Sequence, residues 1–422
     1  MTHKNSPPDS SGPRLDGGIA ARDVSSDTDL PEQISVRTSV PELLLGPDSS
    51  EEPVLSVVMP TMNEEAGIET CLDWIEEAIL ELDVPTEIIV SDNSTDRTPE
   101  IAHERRAIVV EPDKQGYGYA YRYAFERARG KYIVMGDADT TYDFSQIPRL
   151  LNHLEAEDAD IVVGSRLEGE IEDGAMPPLH QYIGNPLLTT FLNAFYDAEV
   201  SDAHSGFRIF RRNVLDELGL ETTGMEFASE MIMEAGAKGL DIEEVPIIYH
   251  EREGEETLNS FRDGWRHVRF MLVNAPGYLF SLPGLLLGSV GLLIMTFVWS
   301  GVDFGGVNLG VNSMIAGSLL TIVGYQIGNL GVFATIAGNP IQKPRNSVTR
   351  VITEQASLER GATLGLAVFG IGVLAASTLF YQWVSDGFTS LGFTITALGA
   401  FTAIVLGLQT IFSSFFLSMI AD

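Results

Sequence analysis

The first part of the chain alternates short β-rich runs with helical patterns. Ile68, Leu72, Ile75 and Ile79 follow three- and four-residue steps, which predicts an amphipathic helix over residues 64–82. Strands that alternate with helices at this spacing predict an α/β fold with a mainly parallel sheet covered on both faces. Ligands of such sheets bind beyond the carboxyl ends of the strands. The predicted strands are residues 54–60, 87–93, 107–112, 131–139, 160–166 and 243–249.

Beyond Phe270 the chain consists of long apolar stretches separated by short connections. Each stretch meets or exceeds the roughly 20 residues that a helix needs to cross a bilayer. We therefore predict a four-helix transmembrane region. Its spans are residues 278–299, 311–337, 361–383 and 391–420.

Positive charges predict how these spans are oriented. The first and third connections, residues 300–310 and 384–390, contain no lysine or arginine. The second connection is basic and contains Lys343, Arg345, Arg350 and Arg360. The segment before the first span is also basic and contains Arg262, Arg266 and Arg269. By the positive-inside rule, the protein is a multi-pass membrane protein whose soluble domain and both termini are cytoplasmic.

The chain divides into four predicted parts. Residues 1–50 are rich in Pro, Ser, Gly and Asp and lack periodicity, so we expect a disordered acidic tail, with a small ordered cap as the alternative. The tail does not have the charged-then-apolar start of a secretory signal peptide. Residues 51–250 form the α/β domain, residues 251–275 a juxtamembrane helix, and residues 276–422 the membrane region.

Charge is concentrated in the soluble part. The chain has 59 acidic and 26 basic side chains, a formal net charge of −33. Residues 1–270 hold 54 of the acidic and 22 of the basic side chains. This balance excludes a nucleic-acid binder, which needs a basic surface, and the single cysteine excludes a disulfide scaffold. Surface carboxylates in this excess are typical of proteins from a halophilic, high-salt cytoplasm.

Two acids at the end of the fourth predicted strand are the sharpest chemical signal. The run KYIVMGDADTTYD is apolar until it reaches Asp137 and Asp139. Residues i and i+2 of an extended chain point to the same side, so both carboxylates face one site. Carboxylate oxygens suit Mg²⁺ or Mn²⁺, whose coordination phosphate oxygens and water would complete. The sequence predicts a divalent metal site there.

Polar loops follow the other strands. MPTMNEEAG after the first strand contains Pro60, Asn63 and Glu64, and SDNSTDRT after the second contains Asp92. Lys114 precedes two glycines in DKQGYGYA, where the backbone can approach a ligand closely and the lysine can meet a phosphate. A helix cap, an Asx turn and an ordinary loop are the alternatives for these three segments.

Further candidates follow the last predicted strands. Arg208 lies in SDAHSGFRIF, and Glu226 and Glu230 share one side of a predicted helix, for which a solvated face is the alternative. Three arginines interleave with aromatic residues before the first span, which predicts an interfacial helix, with topological anchoring as the alternative. These arginines are Arg262, Arg266 and Arg269.

In their order, MPTMNE, SDNSTDRT, DKQGYGYA, GDAD and SGFRIF resemble the family 2 glycosyltransferases with a Rossmann-like GT-A fold. The nearest resemblance is to the dolichyl-phosphate (polyprenyl-phosphate) hexosyltransferases, typified by dolichyl-phosphate mannose synthase. It covers roughly residues 54–270, and four C-terminal spans fit archaeal members. The order of the motifs is far more specific than any one of them.

The resemblance implies a role for each position. Pro60, Asn63, Glu64 and Asp92 would hold the base and ribose of a sugar nucleotide, and Lys114 would lie near it. The two acids of GDAD, Asp137 and Asp139, would engage the ribose and a Mg²⁺ or Mn²⁺ ion on the diphosphate. Arg208 would face the donor diphosphate or the acceptor phosphate. The remaining acceptor-phosphate candidates are Arg252, Arg262, Arg266 and Arg269.

Two positions depart from the family pattern. Thr141 stands where the synthases often have a glutamine that adds a metal ligand. The chain reads GEETL where a lysine is usual, so phosphate binding would rest on Arg208, Arg252 and the arginines that follow. Both departures leave the fold prediction intact and weaken the choice of sugar.

The resemblance implies an enzyme that transfers a hexose to dolichyl or polyprenyl phosphate at the cytoplasmic face of the membrane. Transfer would be inverting and metal-dependent and would supply lipid-linked sugar for protein glycosylation, with GDP-mannose preferred as donor and UDP-glucose as the alternative. A processive polysaccharide synthase is disfavoured because the chain lacks a Gln-x-x-Arg-Trp run, and a non-catalytic scaffold because both GDAD acids are present. Assembly into a homo-oligomer stays open.

Overall fold

The structure is a computed structural model that describes residues 39–254, 260–301, 309–338, 341, 358–389 and 394–421. Several predictions concern residues outside these ranges. They are residues 1–38 of the predicted tail, the GEETL run beyond Gly254, and the basic connection with Lys343, Arg345 and Arg350. The side chain of Arg262 also lies outside the described part.

Seven strands form one mixed, mainly parallel sheet, as predicted. Their order is β3-β2-β1-β4-β6-β5-β7, and among them only β6 runs antiparallel to its neighbours. The sequence missed β6 because it is only four residues long and begins inside the SGFRIF motif. The strands are β1 Leu55–Thr61, β2 Thr86–Asp92, β3 Ile108–Val110, β4 Tyr132–Met135, β5 Ile161–Ile171, β6 Arg208–Arg211 and β7 Ile242–Tyr249.

Helices cover both faces of the sheet. The predicted apolar positions of α2 are fully buried against one face, together with α5. Helices α4, α6 and α8 bury aromatic and aliphatic side chains against the other face. The helices of this domain are α1 Val40–Leu43, α2 Ile68–Leu82, α3 Thr98–Glu104, α4 Tyr117–Phe125, α5 Ile147–Ala156, α6 Asn185–Tyr196, α7 Val214–Leu218 and α8 Phe227–Lys238.

The domain begins earlier than residue 51. Leu43 and Leu44 are buried in the core beside α2, and the Leu45 amide donates to the Thr86 carbonyl at 2.8 Å. The predicted tail is therefore wrong for residues 39–50, where the ordered-cap alternative holds. A short apolar run, VPELLL, had too little length to show periodicity in the sequence.

Within the described residues, four helices are long and apolar enough to cross a membrane, at Gly277–Ser300, Val311–Ala337, Leu358–Ser385 and Ile395–Ile420. They match the predicted spans to within a few residues. The first includes a π-helical turn, Gly277–Ser281, before α10. The remaining helices are α9 Ser260–Val273, α10 Leu282–Ser300, α11 Val311–Ala337, α12 Leu358–Ser385 and α13 Ile395–Ala421.

Small and polar side chains join these spans. A Cβ added to Gly324 of α11 would lie 2.2 Å from the Gly288 amide of α10, so glycine is required for the two backbones to approach. Between α11 and α13, the Ser318 and Thr402 hydroxyls lie 2.6 Å apart. Hydrocarbon offers no partner for polar groups, so interhelical contacts of this kind hold membrane helices together.

The α/β domain packs directly onto α9 and the first span. Tyr196 of α6 donates from its hydroxyl to the Met271 carbonyl of α9 at 2.7 Å. Phe195 stacks on Tyr278 at the start of the first span, with ring centroids 4.5 Å apart. The segment leading into α6 and the first turns of α6 expose large apolar side chains next to this contact. They are Leu179, Tyr182, Ile183, Leu187 and Phe191.

The acidic surface leads to a prediction on salt. We expect the melting temperature of the protein in detergent to fall when KCl is lowered from 1 M to 0.1 M. The Debye length rises from about 3 Å to about 10 Å over this range, which strengthens repulsion among the excess carboxylates. Circular dichroism melts in the two buffers measure the shift. Equal melting temperatures would contradict the halophilic interpretation.

Candidate active site

The site lies where three parallel strands end at one edge of the sheet. Strands β1, β2 and β4 run in the same direction, and the loops that follow them meet at this edge. Glu64 follows β1, and Asp137 and Asp139 follow β4. The structure brings these three acids together: Asp139 and Asp137 raise the pKa of Glu64, and Asp139 raises the pKa of Asp137, as expected for ligand-binding loops that meet at one edge of an α/β sheet.

Asp137 is held by two tyrosines of α4. Its Oδ1 accepts hydrogen bonds from the hydroxyls of Tyr117 at 2.9 Å and Tyr121 at 3.3 Å. Burial, and then the neighbouring charge of Asp139, raise the pKa of Asp137 to about 6, although the two tyrosines oppose the shift. The carboxylate is thus positioned in advance, and among the described residues no lysine or arginine forms an ion pair with it.

Asp139 is fixed by its own turn and by an arginine. Its Oδ1 accepts from the Thr141 amide at 3.2 Å and the Thr141 hydroxyl at 2.5 Å. Its Oδ2 lies 3.2 Å from Nη1 of Arg252. Thr141, where the family often has glutamine, therefore holds Asp139 in place. Thr140 between them has a φ of 64°, a left-handed conformation that the tight turn imposes.

Arg252 also pairs with Glu64, at 2.9 Å between Nη2 and Oε1. Burial raises the pKa of Glu64 to about 7 against the lowering effect of Arg252, and Asp139 and Asp137 add to the rise. The sequence placed Arg252 at the acceptor phosphate. The structure places it between Glu64 and Asp139, the acids that were predicted to bind the nucleotide and the metal.

The residues present fit a divalent cation that is completed by its substrate. Among the described residues, no three His, Cys, Asp or Glu side chains converge as a metal site. Two hard carboxylates are available in Asp137 and Asp139, and the guanidinium of Arg252 forms ion pairs with Asp139 and Glu64. Oxygens of a diphosphate and water would supply the remaining ligands.

The β1 and β2 loops are bound to each other. Asp92 accepts from the Thr61 hydroxyl at 2.7 Å and from the Ser94 amide at 3.1 Å, which is an Asx turn. The Thr95 amide donates to Asn63 Oδ1 at 2.8 Å. Pro60 lies in β1 beyond its last pair with β4. The turn alternative for Asp92 is present, and contact of these residues with a nucleotide stays a prediction.

The glycines of the Lys114 loop allow a close approach within the domain. A Cβ at Gly116, whose φ is +139°, would lie 2.3 Å from the Thr223 carbonyl, and one at Gly118 would lie 2.6 Å from the Thr222 carbonyl. Both glycines let α4 approach the segment before α8, and approach of this loop to a ligand stays a prediction. Lys114 itself is exposed, with its ammonium 5.4 Å from the Tyr119 ring.

Arg208 is not placed to meet a phosphate. It is fully buried in β6, and its guanidinium donates to the carbonyls of Ser205, Ala228 and Ala203 at 2.9, 2.8 and 3.0 Å. Burial lowers the pKa of Arg208 to about 10, so it stays charged at neutral pH. Its assignment as a catalytic and phosphate-binding residue is corrected: Arg208 ties the SGFR segment to α8.

Glu226 and Glu230 do not form a solvated face. Glu230 is buried and accepts from the Glu221 and Thr222 amides, both at 3.0 Å. Glu226 pairs with Nε of Arg266 on α9 at 2.6 Å. Arg266 therefore has an anionic partner within the protein. Both Arg266 and Arg269, on the same helix, are exposed.

A buried ion pair near the site was not predicted from the sequence. Arg166, after the first half of β5, contacts Asp202 through Nε at 2.7 Å and Nη2 at 2.8 Å, and its guanidinium lies 5.3 Å from the Tyr249 ring. Tyr117 and Tyr121 were also missed. Their four-residue spacing in GYGYAY would have shown two hydroxyls on one side of α4.

The chain matches known families over both of its parts. The glycosyl transferase family 2 domain matches residues 56–219, and the glycosyltransferase family 2 C-terminal transmembrane region matches residues 332–421. The low-salt glycan biosynthesis hexosyltransferase Agl6 of Haloferax volcanii is 55% identical over 381 residues, which is 90% of this chain and 92% of that protein.

Two further relatives match the domain. A dolichyl-phosphate hexose transferase of Haloferax volcanii is 35% identical over 211 residues, 50% of this chain and 89% of that protein. The dolichyl-phosphate β-glucosyltransferase of Saccharomyces cerevisiae is 30% identical over 263 residues, 55% of this chain and 77% of that protein.

Among solved structures, glucosyl-3-phosphoglycerate synthase from Mycobacterium tuberculosis with Mn²⁺, UDP and glucosyl-3-phosphoglycerate has a TM-score of 0.42 and 23% identity. It covers 52% of this chain and 78% of that one, a likeness too distant to say anything about ligands. The family matches and the full-length relative agree with the sheet and the four spans. The chain belongs to glycosyltransferase family 2, as a membrane enzyme with a GT-A-like catalytic domain.

Proposed function

We propose that this enzyme transfers a hexose from a nucleotide sugar to the phosphate of a dolichyl or other polyprenyl lipid. The observation that carries the proposal is the group of acids at the sheet edge of a domain that packs directly onto membrane helices. The names of the relatives, a glycan biosynthesis hexosyltransferase and two dolichyl-phosphate transferases, support it.

On the donor side, Asp137 and Asp139 would hold Mg²⁺ or Mn²⁺, which supplies electrostatic stabilisation of the departing diphosphate. The tyrosines on Asp137 and Thr141 on Asp139 keep both carboxylates oriented before substrate arrives. The base and ribose are proposed to lie along the β1 and β2 loops. The residues proposed for this contact are Pro60, Asn63, Glu64, Asp92 and Lys114.

On the acceptor side, the lipid phosphate is anionic at neutral pH, so the enzyme needs no strong general base. A single displacement by its oxygen would invert the anomeric carbon. Packing of the domain on α9 would bring a water-insoluble acceptor next to the donor, which replaces a bimolecular search with a local one. Arg269, and Arg266 beside its pair with Glu226, are proposed to attract the phosphate.

The catalytic domain is proposed to face the cytoplasm. Ile341, just after α11 and at the start of the basic connection, packs against the core of the domain. This contact supports placing the domain and that connection on the same side of the membrane. The positive-inside rule assigns the basic connection to the cytoplasmic side. GDP-mannose is the proposed donor. UDP-glucose is the alternative, which the name of the yeast relative favours.

Membranes that contain the protein, incubated with a panel of labelled nucleotide sugars, test the proposal. We expect label from one donor in the organic phase after lipid extraction, as one sugar per lipid. Membranes with the Asp139→Asn variant are the matched control. Absence of lipid-phase label with every donor, at molar KCl with Mg²⁺ and Mn²⁺, would overturn the proposal, and a polymeric product would favour a processive synthase.

A further inference from the structure

Arg252 bridges two acids that come from different strands. Its Nη1 lies 3.2 Å from Asp139 after β4, and its Nη2 lies 2.9 Å from Glu64 after β1. The side chains are 29%, 10% and 13% exposed, so water screens the two contacts only in part. A guanidinium fork can contact two carboxylates at once, which a lysine ammonium cannot do in the same way.

The backbone on both sides of this bridge is fixed. The His250 amide donates to the Thr141 carbonyl at 3.0 Å, and the Glu253 amide donates to the Asp139 carbonyl at 3.1 Å. Arg252 lies between these two hydrogen bonds. Its approach to Asp139 is therefore set by chain pairing, in contrast to surface arginines whose ion pairs cost side-chain entropy and stabilise little.

The single positive charge of Arg252 does not neutralise all of the acids around it. Within the described ranges, Arg252 is the one lysine or arginine that forms an ion pair with Glu64 or Asp139. Asp137 beside them has tyrosine hydroxyls instead of a cation. The Nε of Arg252 is buried and has no hydrogen-bond partner among the residues that the structure describes. Two of its nitrogens are thus bound to acids, while the third loses its solvation.

We propose that Arg252 is a placeholder cation of the donor site, meaning that its guanidinium occupies the position beside Asp139 that a divalent metal ion takes when the nucleotide binds. The inference rests on the proposed function in one respect, the use of Asp139 as a metal ligand. It changes the role predicted for Arg252, from binding the acceptor phosphate to controlling when the metal binds.

A coupling between metal and nucleotide follows. A metal ion that binds alone must separate Arg252 from Asp139, which leaves a partly buried guanidinium short of an anion. A nucleoside diphosphate brings that anion, so the cost falls when the two ligands bind together. Because coupling free energies are reciprocal, the nucleotide strengthens metal binding by the same factor as the metal strengthens nucleotide binding.

Mn²⁺ binding to the full-length protein in detergent tests the proposal. Electron paramagnetic resonance of free Mn²⁺ is measured at 1 M KCl, where the Debye length of about 3 Å suppresses long-range charge effects. For Arg252→Gln we expect Mn²⁺ alone to bind at least tenfold more tightly than to the wild type. Addition of UDP or GDP should then strengthen Mn²⁺ binding less in the variant than in the wild type.

Arg149→Gln is the matched control, because Arg149 is an exposed arginine that donates to the Pro246 carbonyl at 2.7 Å, away from the acids. We expect its Mn²⁺ affinity to equal that of the wild type. Arg252→Lys keeps the positive charge but lacks the guanidinium fork, so we expect a smaller gain in Mn²⁺ affinity than for Arg252→Gln. It serves as the second variant if Arg252→Gln does not fold.

Unchanged Mn²⁺ affinity in the folded Arg252 variants, or an equal gain in Arg149→Gln, would overturn the placeholder role. A higher KM for the lipid as the sole effect would return Arg252 to the acceptor side. The metal measurement needs neither donor sugar nor lipid. Failure to find a lipid-linked product would therefore count against the proposed function and leave this result to be judged separately.

Discussion

Replacement of Asp139 by asparagine is expected to lower the rate of sugar transfer by about 10³-fold or more while the protein stays folded. Loss of a metal-binding carboxylate removes several kcal/mol of transition-state stabilisation, and each 1.36 kcal/mol is a factor of about ten in rate. The fold should tolerate the change, since an asparagine oxygen can still accept from the Thr141 amide that now binds Oδ1 at 3.2 Å.

Asp143→Asn is the matched control for this substitution. Asp143 lies in the same loop and also accepts a backbone hydrogen bond, from Ser145 at 2.9 Å, but it is not part of the acid group. We expect near-wild-type transfer from it. Sugar transfer by both variants is measured as lipid-phase label at saturating Mn²⁺. Full turnover by Asp139→Asn would show that the assignment of Asp139 as a metal ligand is wrong.

Arg208→Met is expected to destabilise the domain by at least about 3 kcal/mol, because buried carbonyls lose their donors at about 1–3 kcal/mol each. Three carbonyls depend on this guanidinium, those of Ser205, Ala228 and Ala203. For a domain of this size, about 2–4 °C of melting temperature is lost for each kcal/mol. Thermal unfolding at molar KCl should therefore show a drop of about 6 °C or more.

Arg212→Met provides the comparison, because Arg212 directly follows the same strand and is exposed. We expect a change in melting temperature below about 2 °C. The turnover of Arg208→Met separates this structural role from the phosphate-binding role that the motif predicted. If Arg208→Met keeps its melting temperature and loses turnover alone, Arg208 acts on substrate and the structural interpretation is wrong.

Local patterns were sufficient for the elements and for the acids. The three- and four-residue steps of Ile68, Leu72, Ile75 and Ile79 predicted α2, and all four are buried. Apolar runs of more than 20 residues predicted the spans. The thickness of the bilayer sets the length of a helix that crosses it, and the sequence shows directly which stretches are apolar over that length. Asp137 and Asp139 were found because polar residues that end a buried strand are costly without a partner.

What each charged side chain contacts was decided by the tertiary structure. Arg208 and Arg252 look alike in the sequence, yet one reaches backbone carbonyls inside the core and the other reaches Asp139 and Glu64. Each also contacts a distant segment, Arg208 the carbonyl of Ala228, 20 residues away, and Arg252 the carboxylate of Glu64, 188 residues away, and no local pattern encodes such contacts. The sequence by itself determined the class of the domain, its spans and its acids; long-range packing decided which arginine faces the site, because a guanidinium binds whichever oxygens the fold brings within reach.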